Sequence, residues 1–376
     1  MIAAPDATAA TEFRAATTRL AQDLIRIDSR SHLSNGGIAD RLQAELKHFE
    51  VERLDYTDPA GVTKHVLVAA RGWSGLAFCG HMDTVPDTGW TAHPWDARIE
   101  GDTLHGLGAA DMKGPVAALV VALRALPPRM PVALFLTTDE ETTKQGARVL
   151  LTSELARRFR PRAILIAEPT GMIPVRGHRA SIGITAIATG VQAHSSTGRG
   201  RNANWALIPF LADMHALQDR LRTEPLWQDP AYDPPHADFN LVLDNQGTAV
   251  NVSVPRATAR IKFRHSASLD PRPILALVRR AAAKAGLHLI EQPEGRPPEL
   301  ASDHKLVQMA EKLSRHRAGT APYGTDAVVL QAMAPCVIMG PGSIAVAHTP
   351  REHISLTALS QAVPVFMQIA KLAAAG

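Results

Sequence analysis

The sequence predicts a two-domain α/β protein in which a smaller α+β domain is inserted into a larger layered domain. At 376 residues the chain is longer than one ordinary hydrophobic core supports. Short, almost wholly apolar runs alternate with helical spacing in the first part of the chain, whereas the middle part alternates apolar and polar residues. Apolar residues make up 45% of the chain and charged residues 20%, which is typical of a soluble globular protein.

The larger domain is predicted from apolar runs that suit strands buried on both faces of a largely parallel sheet. The runs cover residues 65–70, 76–79, 132–137, 163–167 and 336–339. Residues 11–27 and 114–126 carry the Ala, Leu and Val spacing of helices that would cover such a sheet. Together they favour an α/β layered domain.

The inserted domain is predicted from a change of pattern between about residues 177 and 295. The elements in order are a strand at 180–189, a helix at 202–222, strands at 240–244 and 257–263, a helix at 271–285 and a strand at 288–291. That order is the ferredoxin-like arrangement. We therefore expect residues 1–176 and 296–376 to form one catalytic domain, interrupted by a lid or dimerisation domain at 177–295.

The charge and the cysteine content of the chain indicate which partners and which cellular compartment to expect. The net charge is only +4, with Lys and Arg scattered among Asp and Glu, so nucleic acid is not the expected partner. Cys79 and Cys336 lie in apolar runs, as buried thiols of a reducing compartment would. The first ten residues lack the charged start of a signal peptide, and no uninterrupted apolar segment approaches the ~20 residues of a membrane span. We expect a cytoplasmic protein that does not bind membranes.

Acidic and His residues follow the predicted strands of the larger domain, and one of them, Asp111, lies just ahead of a predicted helix. They are His81, Asp83, Asp111, Glu140, Glu141, Glu168 and His348. Ligands of an open α/β sheet bind at the carboxyl ends of its strands, so residues far apart in sequence can converge there. A set of two imidazoles and several carboxylates suits zinc, and to a lesser degree cobalt or manganese.

Several segments resemble, in the right order and over nearly the whole chain, the signatures of the di-zinc aminoacylase/carboxypeptidase family. They read His-Met-Asp-Thr-Val-Pro, Gly-Ala-Ala-Asp-Met-Lys-Gly, Asp-Glu-Glu, Ala-Glu-Pro-Thr and Gly-Pro-Gly-Ser-Ile-Ala-Val-Ala-His. This family includes acetylornithine deacetylases, succinyl-diaminopimelate desuccinylases and glutamate carboxypeptidases. The sequence is identified as a member, most similar to the acetylornithine deacetylase type.

The resemblance implies two zinc ions, with cobalt as an alternative metal. The implied ligands are His81 and Glu168 on one ion, Glu141 and His348 on the other, and Asp111 across both. Asp83 would hydrogen-bond the far nitrogen of His81 and so fix its tautomer. Glu140 would be the general base that takes a proton from water and passes it to the departing amine.

Further candidate residues lie in the inserted domain and, for Gly342, in the second part of the larger domain. His194, in Gln-Ala-His-Ser-Ser, would stabilise the oxyanion, reaching an active site across a dimer interface. Arg264 would bind the substrate carboxylate, because its guanidinium offers a fork of donors. Asn251 and Gly342 would also line the substrate pocket. A homodimer formed through the inserted domain follows from the same resemblance.

The implied activity is hydrolysis of the amide bond of a small N-acyl amino acid, with deacetylation of N-acetylornithine or N-acetylcitrulline in arginine biosynthesis as the main candidate. A desuccinylase or a general aminoacylase or dipeptidase is the alternative. Val328 follows Gly-Thr-Asp-Ala where desuccinylases commonly have Arg, which argues against a succinyl substrate. An inactive zinc-binding protein is a further alternative, against which the intact Asp139-Glu140-Glu141 run argues.

Overall fold

The fold is given by a computed structural model in which residues 7–375 are described. The first six residues, which belong to the ten that predict no signal peptide, lie outside the described residues, as does the last residue. One compact unit comprises the chain up to Gly177, Glu299–Gly319 and the chain from Thr325, and the other comprises His178–Pro298 and Thr320–Gly324. The expected catalytic and lid or dimerisation roles of such units stay predictions.

The described residues form the following strands and helices. The strands are β1 Glu50–Thr57, β2 Thr63–Arg71, β3 Leu76–His81, β4 Arg98–Glu100, β5 Thr103–His105, β6 Val132–Thr137, β7 Ala163–Pro169, β8 Val175–His178, β9 Ala180–Thr189, β10 Asp238–Asp244, β11 Arg256–His265, β12 His288–Pro293, β13 Gly319–Ala321, β14 Cys336–Gly340 and β15 His353–Ser355. The helices are α1 Ala7–Ile25, α2 Gly36–Glu45, α3 Lys113–Ala125, α4 Gln145–Leu150, α5 Glu154–Phe159, α6 Asn204–Thr223, α7 Arg272–Lys284, α8 Lys305–Ser314, α9 Ala327–Leu330 and α10 Leu356–Ala375.

The large sheet has eight strands in the order β1-β2-β6-β3-β7-β14-β8-β13. Its centre, from β6 through β3 and β7 to β14, is parallel, and every residue of β3, β6 and β14 is buried. The α/β fold class is therefore confirmed. Strands buried on both faces read as continuous apolar runs, which is why the sequence marks them so well.

Within the largely parallel sheet that the sequence predicts, β2 is an antiparallel strand. The run at 65–70 is a strand, but it pairs antiparallel with both β1 and β6. A connection of a few residues joins β1 to β2, and so short a turn permits only antiparallel pairing. Apolar runs carry no information on strand direction, so the sequence did not reveal this.

Helices α1, α3 and α10 pack against one another and contribute to the core of the larger unit. Among the described residues, α10 is the one helix whose length and composition would allow it to cross a membrane. Its residues Leu359, Val363 and Phe366 are fully buried in the core, as in the core helix of a globular domain. Polar residues interrupt the apolar sequence of this helix, so the search for an uninterrupted apolar segment did not identify it.

A small sheet in the order β15-β5-β4 was not predicted from the sequence. Residues Thr103–His105 of β5 pair with β15, so the segment that precedes Asp111 is tied to the segment that follows His348. Strands of three residues are too short to show a periodic pattern. The small sheet brings two predicted ligand loops to the same side of the unit.

The second unit contains an antiparallel sheet in the order β10-β11-β9-β12, with α6 and α7 packed on it. The element order β9-α6-β10-β11-α7-β12 is the predicted ferredoxin-like arrangement. Its separate core contains Phe210, Phe239 and Phe263. The strand bounds agree with the sequence pattern to within a few residues, and alternating burial along β9 and β11 gives the strongest signal.

Candidate metal centre

The five predicted metal ligands lie together in the larger unit. His81 is the last residue of β3, and Glu168 lies near the end of β7. Glu141 follows β6, Asp111 precedes α3, and His348 follows β14. Side chains from distant segments therefore meet at the carboxyl ends of the parallel strands, as the topology of an open α/β sheet dictates.

The five predicted ligand side chains form two groups that share Asp111. The potential ligand atoms of His81, Asp111 and Glu168 all lie within 4.8 Å of one another, and so do those of Asp111, Glu141 and His348. Nε2 of His81 is 3.0 Å from Oδ1 of Asp111, and Nε2 of His348 is 3.3 Å from Oδ2. The two oxygens of Asp111 thus face different imidazoles, which is the arrangement that a bridging carboxylate needs.

The electrostatics of this cluster fit a positively charged occupant. Burial and the charge of Asp111 raise the pKa of Glu168 well above its usual value, and the same causes raise the pKa of Glu141 to about 7. Hydrogen bonds to Asp111 and Glu141 raise the pKa of His348 to about 10. Buried carboxylates that repel one another and retain protons are stabilised by a divalent cation, and this set of nitrogen and oxygen donors suits zinc or cobalt.

Asp83 contacts His81 differently from the sequence expectation. Nδ1 of His81 donates to the main-chain carbonyl of Asp83 at 2.9 Å, whereas the nearer carboxylate oxygen is 3.6 Å away. The carboxylate instead accepts the hydroxyl of Ser31 at 2.7 Å and the N–H groups of Glu140 and Glu141 at 3.3 and 3.4 Å. Asp83 therefore fixes the His81 tautomer through its backbone and fixes the Glu140–Glu141 loop through its side chain.

The loop that carries Glu140 is held by buried groups that the sequence analysis did not identify. Asp139, which has a positive φ of 58°, accepts the hydroxyl of Tyr56 at 2.7 Å and lies 3.3 Å from Nζ of the buried Lys64. Nζ of Lys144 is 2.7 Å from Oε1 of Glu140. Lys64 is a charged residue close to the apolar run at 66–70 of β2, a signal that could have marked it for a specific partner.

Glu352 is a further residue that the sequence analysis missed. Its buried carboxylate accepts the main-chain N–H groups of Gly108, Ala110 and Asp111 at 2.8–2.9 Å. Burial raises the pKa of Glu352 to about 7 despite these hydrogen bonds. Its position four residues after His348 was the one sequence feature that could have indicated a role near the predicted ligands. Its hydrogen-bond partners are main-chain N–H groups, which every residue type except proline offers, so the sequence could not identify them.

Gly342 is placed beside the metal-ligand cluster. Its φ is +94°, in the region that favours glycine, and its carbonyl accepts the N–H of Gly171 at 2.7 Å. A Cβ at this position would lie 3.5 Å from the Cβ of Ala110, the residue before Asp111. Gly342 is therefore close enough to the cluster for the predicted role in the substrate pocket.

The other predicted residues, His194, Asn251 and Arg264, lie in the second unit. His194 is exposed, and its Nδ1 is 2.8 Å from the hydroxyl of Ser196. The carbonyl of Asn251 accepts the N–H of Ser195 at 2.9 Å, so Asn251 adjoins the His194 segment. Arg264 lies on β11, with Nη1 3.5 Å from a carboxylate oxygen of Asp238. Within the second unit, His194 and Asn251 are brought together, whereas Arg264 has a separate acidic neighbour.

Comparison with known proteins gives consistent matches. Residues 77–372 match Peptidase family M20/M25/M40. The chain is 31% identical to acetylornithine deacetylase of Proteus mirabilis (strain HI4320) over 344 residues, which covers 88% of each chain. The fold is similar to the dipeptidase Dug1p of Saccharomyces cerevisiae, with a TM-score of 0.74, 12% identity and coverage of 97% of this chain and 98% of that one. It is also similar to the Bacillus subtilis YXEP protein, a dinuclear metal-binding peptidase, with a TM-score of 0.64, 17% identity and coverage of 96% and 98%.

Proposed function

The chain belongs to Peptidase family M20/M25/M40 and is a hydrolase of amide bonds, and on that premise we propose that it deacetylates N-acetylornithine or N-acetylcitrulline. The main support for this proposal is the pair of ligand groups that share Asp111, with Glu140 next to the proposed ligand Glu141. Relatives more than 30% identical over most of the chain are named acetylornithine deacetylase, which supports an acetyl group and an ornithine-like acid. The family assignment also confirms the resemblance seen in the motifs.

The proposed metal ligands are the residues of the two groups in the larger unit. His81, Asp111 and Glu168 would hold one ion, and Asp111, Glu141 and His348 would hold the other. Zinc or cobalt bound there would activate a water molecule and polarise the amide carbonyl. Asp83 and Glu352 would keep the ligand loops in place, since each accepts N–H groups from the backbone of those loops.

Glu140 is the proposed proton carrier. Its carboxylate would accept a proton from the attacking water, whose oxygen forms the new bond to the acyl carbon. The same proton would then pass to the amide nitrogen as the carbon–nitrogen bond breaks, which gives acetate and the free amino acid. Amide cleavage needs a protonated leaving group, so one carboxylate serves both halves of the reaction.

The second unit is proposed to complete the active site within a homodimer. His194 is exposed and can offer its imidazole as a donor to the developing oxyanion. Arg264 and Asn251, with Gly342 of the larger unit, are proposed to contact the substrate. The edge strand β10 exposes Leu241, Val242 and Leu243, and an apolar sheet edge of this kind favours pairing with another chain.

A cytoplasmic location is proposed on the basis of the cysteines. Cys79 and Cys336 are free and buried. Burial raises the pKa of both thiols, so they are unreactive and suit a reducing compartment. A role in arginine biosynthesis would follow if the preferred substrate is acetylated ornithine or citrulline.

The test is parallel hydrolysis of N-acetylornithine, N-acetylcitrulline, N-succinyl-diaminopimelate and N-acetylmethionine by zinc-loaded protein, with a chelated control. We expect the highest kcat/KM on the ornithine or citrulline derivative and no turnover after chelation. Preference for the succinyl compound would identify a desuccinylase. Comparable rates on all four would identify a general aminoacylase, and either result would reject the proposed substrate while keeping the metal chemistry.

A further inference from the structure

Lys144 is a buried cation beside the proposed general base, and no step of the proposed reaction uses it. Only 8% of its side chain is exposed, and 7% of the Glu140 side chain. Nζ of Lys144 lies 2.7 Å from Oε1 of Glu140 and donates to the main-chain carbonyl of Glu140 at 3.0 Å. One ammonium therefore holds both the backbone and the carboxylate of the same residue.

The loop geometry fixes Lys144 in this place. The N–H groups of Thr143 and Lys144 donate to the carbonyl of Asp139 at 3.1 and 2.6 Å, which closes a tight turn around Glu140. Lys144 has a positive φ of 56° and directly precedes the first residue of α4. The turn therefore positions the ammonium group of Lys144. At the other end of the turn, the hydroxyl of Tyr56 donates to the carboxylate of Asp139 at 2.7 Å.

The other buried lysines of the larger unit show what a purely structural lysine does here. Lys64 donates to the main-chain carbonyls of Ser31 and Leu33 and pairs with Asp139. Lys113 donates to the carbonyl of Ile27 at 2.7 Å. Both stabilise loops, and no hydrogen bond to Glu140 is found for either among the described residues. Lys144 differs because its partner atom belongs to the proposed proton carrier.

Asp326 is a buried carboxyl group that interacts electrostatically with this pair. Its Oδ2 accepts the hydroxyl of Thr137 at 2.5 Å, and its other carboxylate oxygen is buried without a hydrogen-bond partner. Burial and repulsion from Glu140 raise the pKa of Asp326 to about 7, while the charge of Lys144 opposes that rise. When it is ionised, Asp326 repels Glu140 and attracts Lys144.

We propose that Lys144 is a positioning residue for the hydrolysis: it holds Oε1 of Glu140, so that Oε2 is the oxygen that exchanges the proton with water and with the leaving amine. This inference rests on the proposed role of Glu140. A side chain held by an ion pair in a turn keeps one rotamer, and misplacement of a reacting group by about 1 Å can cost roughly a hundredfold in rate. The contribution of Lys144 is thus to kcat and not to substrate binding.

The test compares Lys144→Met, Lys144→Arg and the control Arg148→Met in the metal-loaded enzyme. Arg148 lies on α4 and donates to the carbonyl of Thr143, so the control removes a nearby cation of the same segment. Lys144→Met keeps an unbranched chain at a position with positive φ, so the backbone strain is the same. For each variant kcat, KM, metal content and the unfolding midpoint are measured on the amide that the wild type hydrolyses fastest.

We expect Lys144→Met to lower kcat by about tenfold to a hundredfold, with KM and metal content nearly unchanged. Lys144→Arg should recover part of the loss, and Arg148→Met should match the wild type. An unchanged or higher kcat in Lys144→Met would overturn the inference. A fall in kcat that is accompanied by a matching loss of metal would overturn it as well. So would a Lys144→Arg variant whose kcat is as low as that of Lys144→Met. Lack of turnover by the wild type on every amide would instead reject the proposed function, and this inference with it.

Discussion

The metal-ligand cluster and the segment around His194 are held in place in different ways. In the cluster, Asp111 contacts two imidazoles through its side chain and Glu352 through its backbone N–H. His194 is exposed, and its ring contacts Ser196, two residues along the chain. His81, Asp111 and Glu168 are therefore preorganised by burial and by long-range side-chain partners, whereas the His194 segment is held by main-chain hydrogen bonds to residues 251–253 and its ring stays exposed.

This difference predicts different responses to substitution. Removing one member of a buried polar cluster leaves its partners unpaired in a medium of low dielectric constant, so both metal binding and stability suffer. Removing an exposed side chain leaves no buried group without a partner, so stability hardly changes. A catalytic residue in the second region should therefore reveal itself by turnover alone.

The largest effect is expected from Asp111→Asn. Asp111 is the one residue common to both ligand groups, so its loss should remove bound metal from both sites and abolish turnover. Metal content and hydrolysis rate measured on the same preparation provide the check. The exposed Asp96 is a matched control, since Asp96→Asn removes a carboxylate from the same unit. A variant that kept both ions would show that Asp111 does not bridge them.

Glu140→Gln should have the next largest effect. The amide cannot accept a proton, so kcat should fall by roughly 10²–10⁴ while metal content stays at the wild-type value. This variant separates two adjacent residues, because Glu141→Gln should lose metal as well. If metal and turnover were lost in equal measure in Glu140→Gln, Glu140 would be a ligand instead of the proton carrier.

His194→Ala tests the exposed region. Removal of an oxyanion donor should lower kcat by about 10²–10³, with metal content and unfolding midpoint unchanged. The control is His215→Ala, because His215 is an exposed imidazole on α6 of the same unit. Turnover equal to the wild type would remove His194 from the mechanism. A fall in the unfolding midpoint would contradict the distinction between the two regions.

The smallest effect concerns pH and stability. The raised pKa values of Glu141, about 7, and His348, about 10, mean that the metal-free cluster retains protons that a metal must displace. The stabilisation of the folded state by metal should therefore be small near pH 5.5 and should grow as the pH rises to 8.5. Unfolding midpoints with and without chelator give this difference at each pH, and titrating groups elsewhere cancel in it. A difference that is constant with pH would mean that the cluster is not the metal site.

Much of the fold could be predicted because its signals are local. The ferredoxin-like unit follows from alternating burial along β9 and β11, and the buried strands β3, β6 and β14 follow from continuous apolar runs. The antiparallel direction of β2 and the small sheet of β4, β5 and β15 could not be predicted. Direction leaves no pattern in the residues, and three-residue strands are shorter than any period.

The sequence by itself determined which acidic and His residues follow the strands of the larger domain, since strand ends and side-chain chemistry can both be read locally. Only the tertiary structure decided that Asp111 lies between His81 and His348, that the carbonyl of Asp83 accepts from His81, and that Lys144 holds Glu140. These contacts depend on how loops of different strands pack in three dimensions. A buried charged group pairs with whichever group of opposite charge or polarity lies close to it in the folded chain. The sequence does not give the distances between residues that are far apart along the chain.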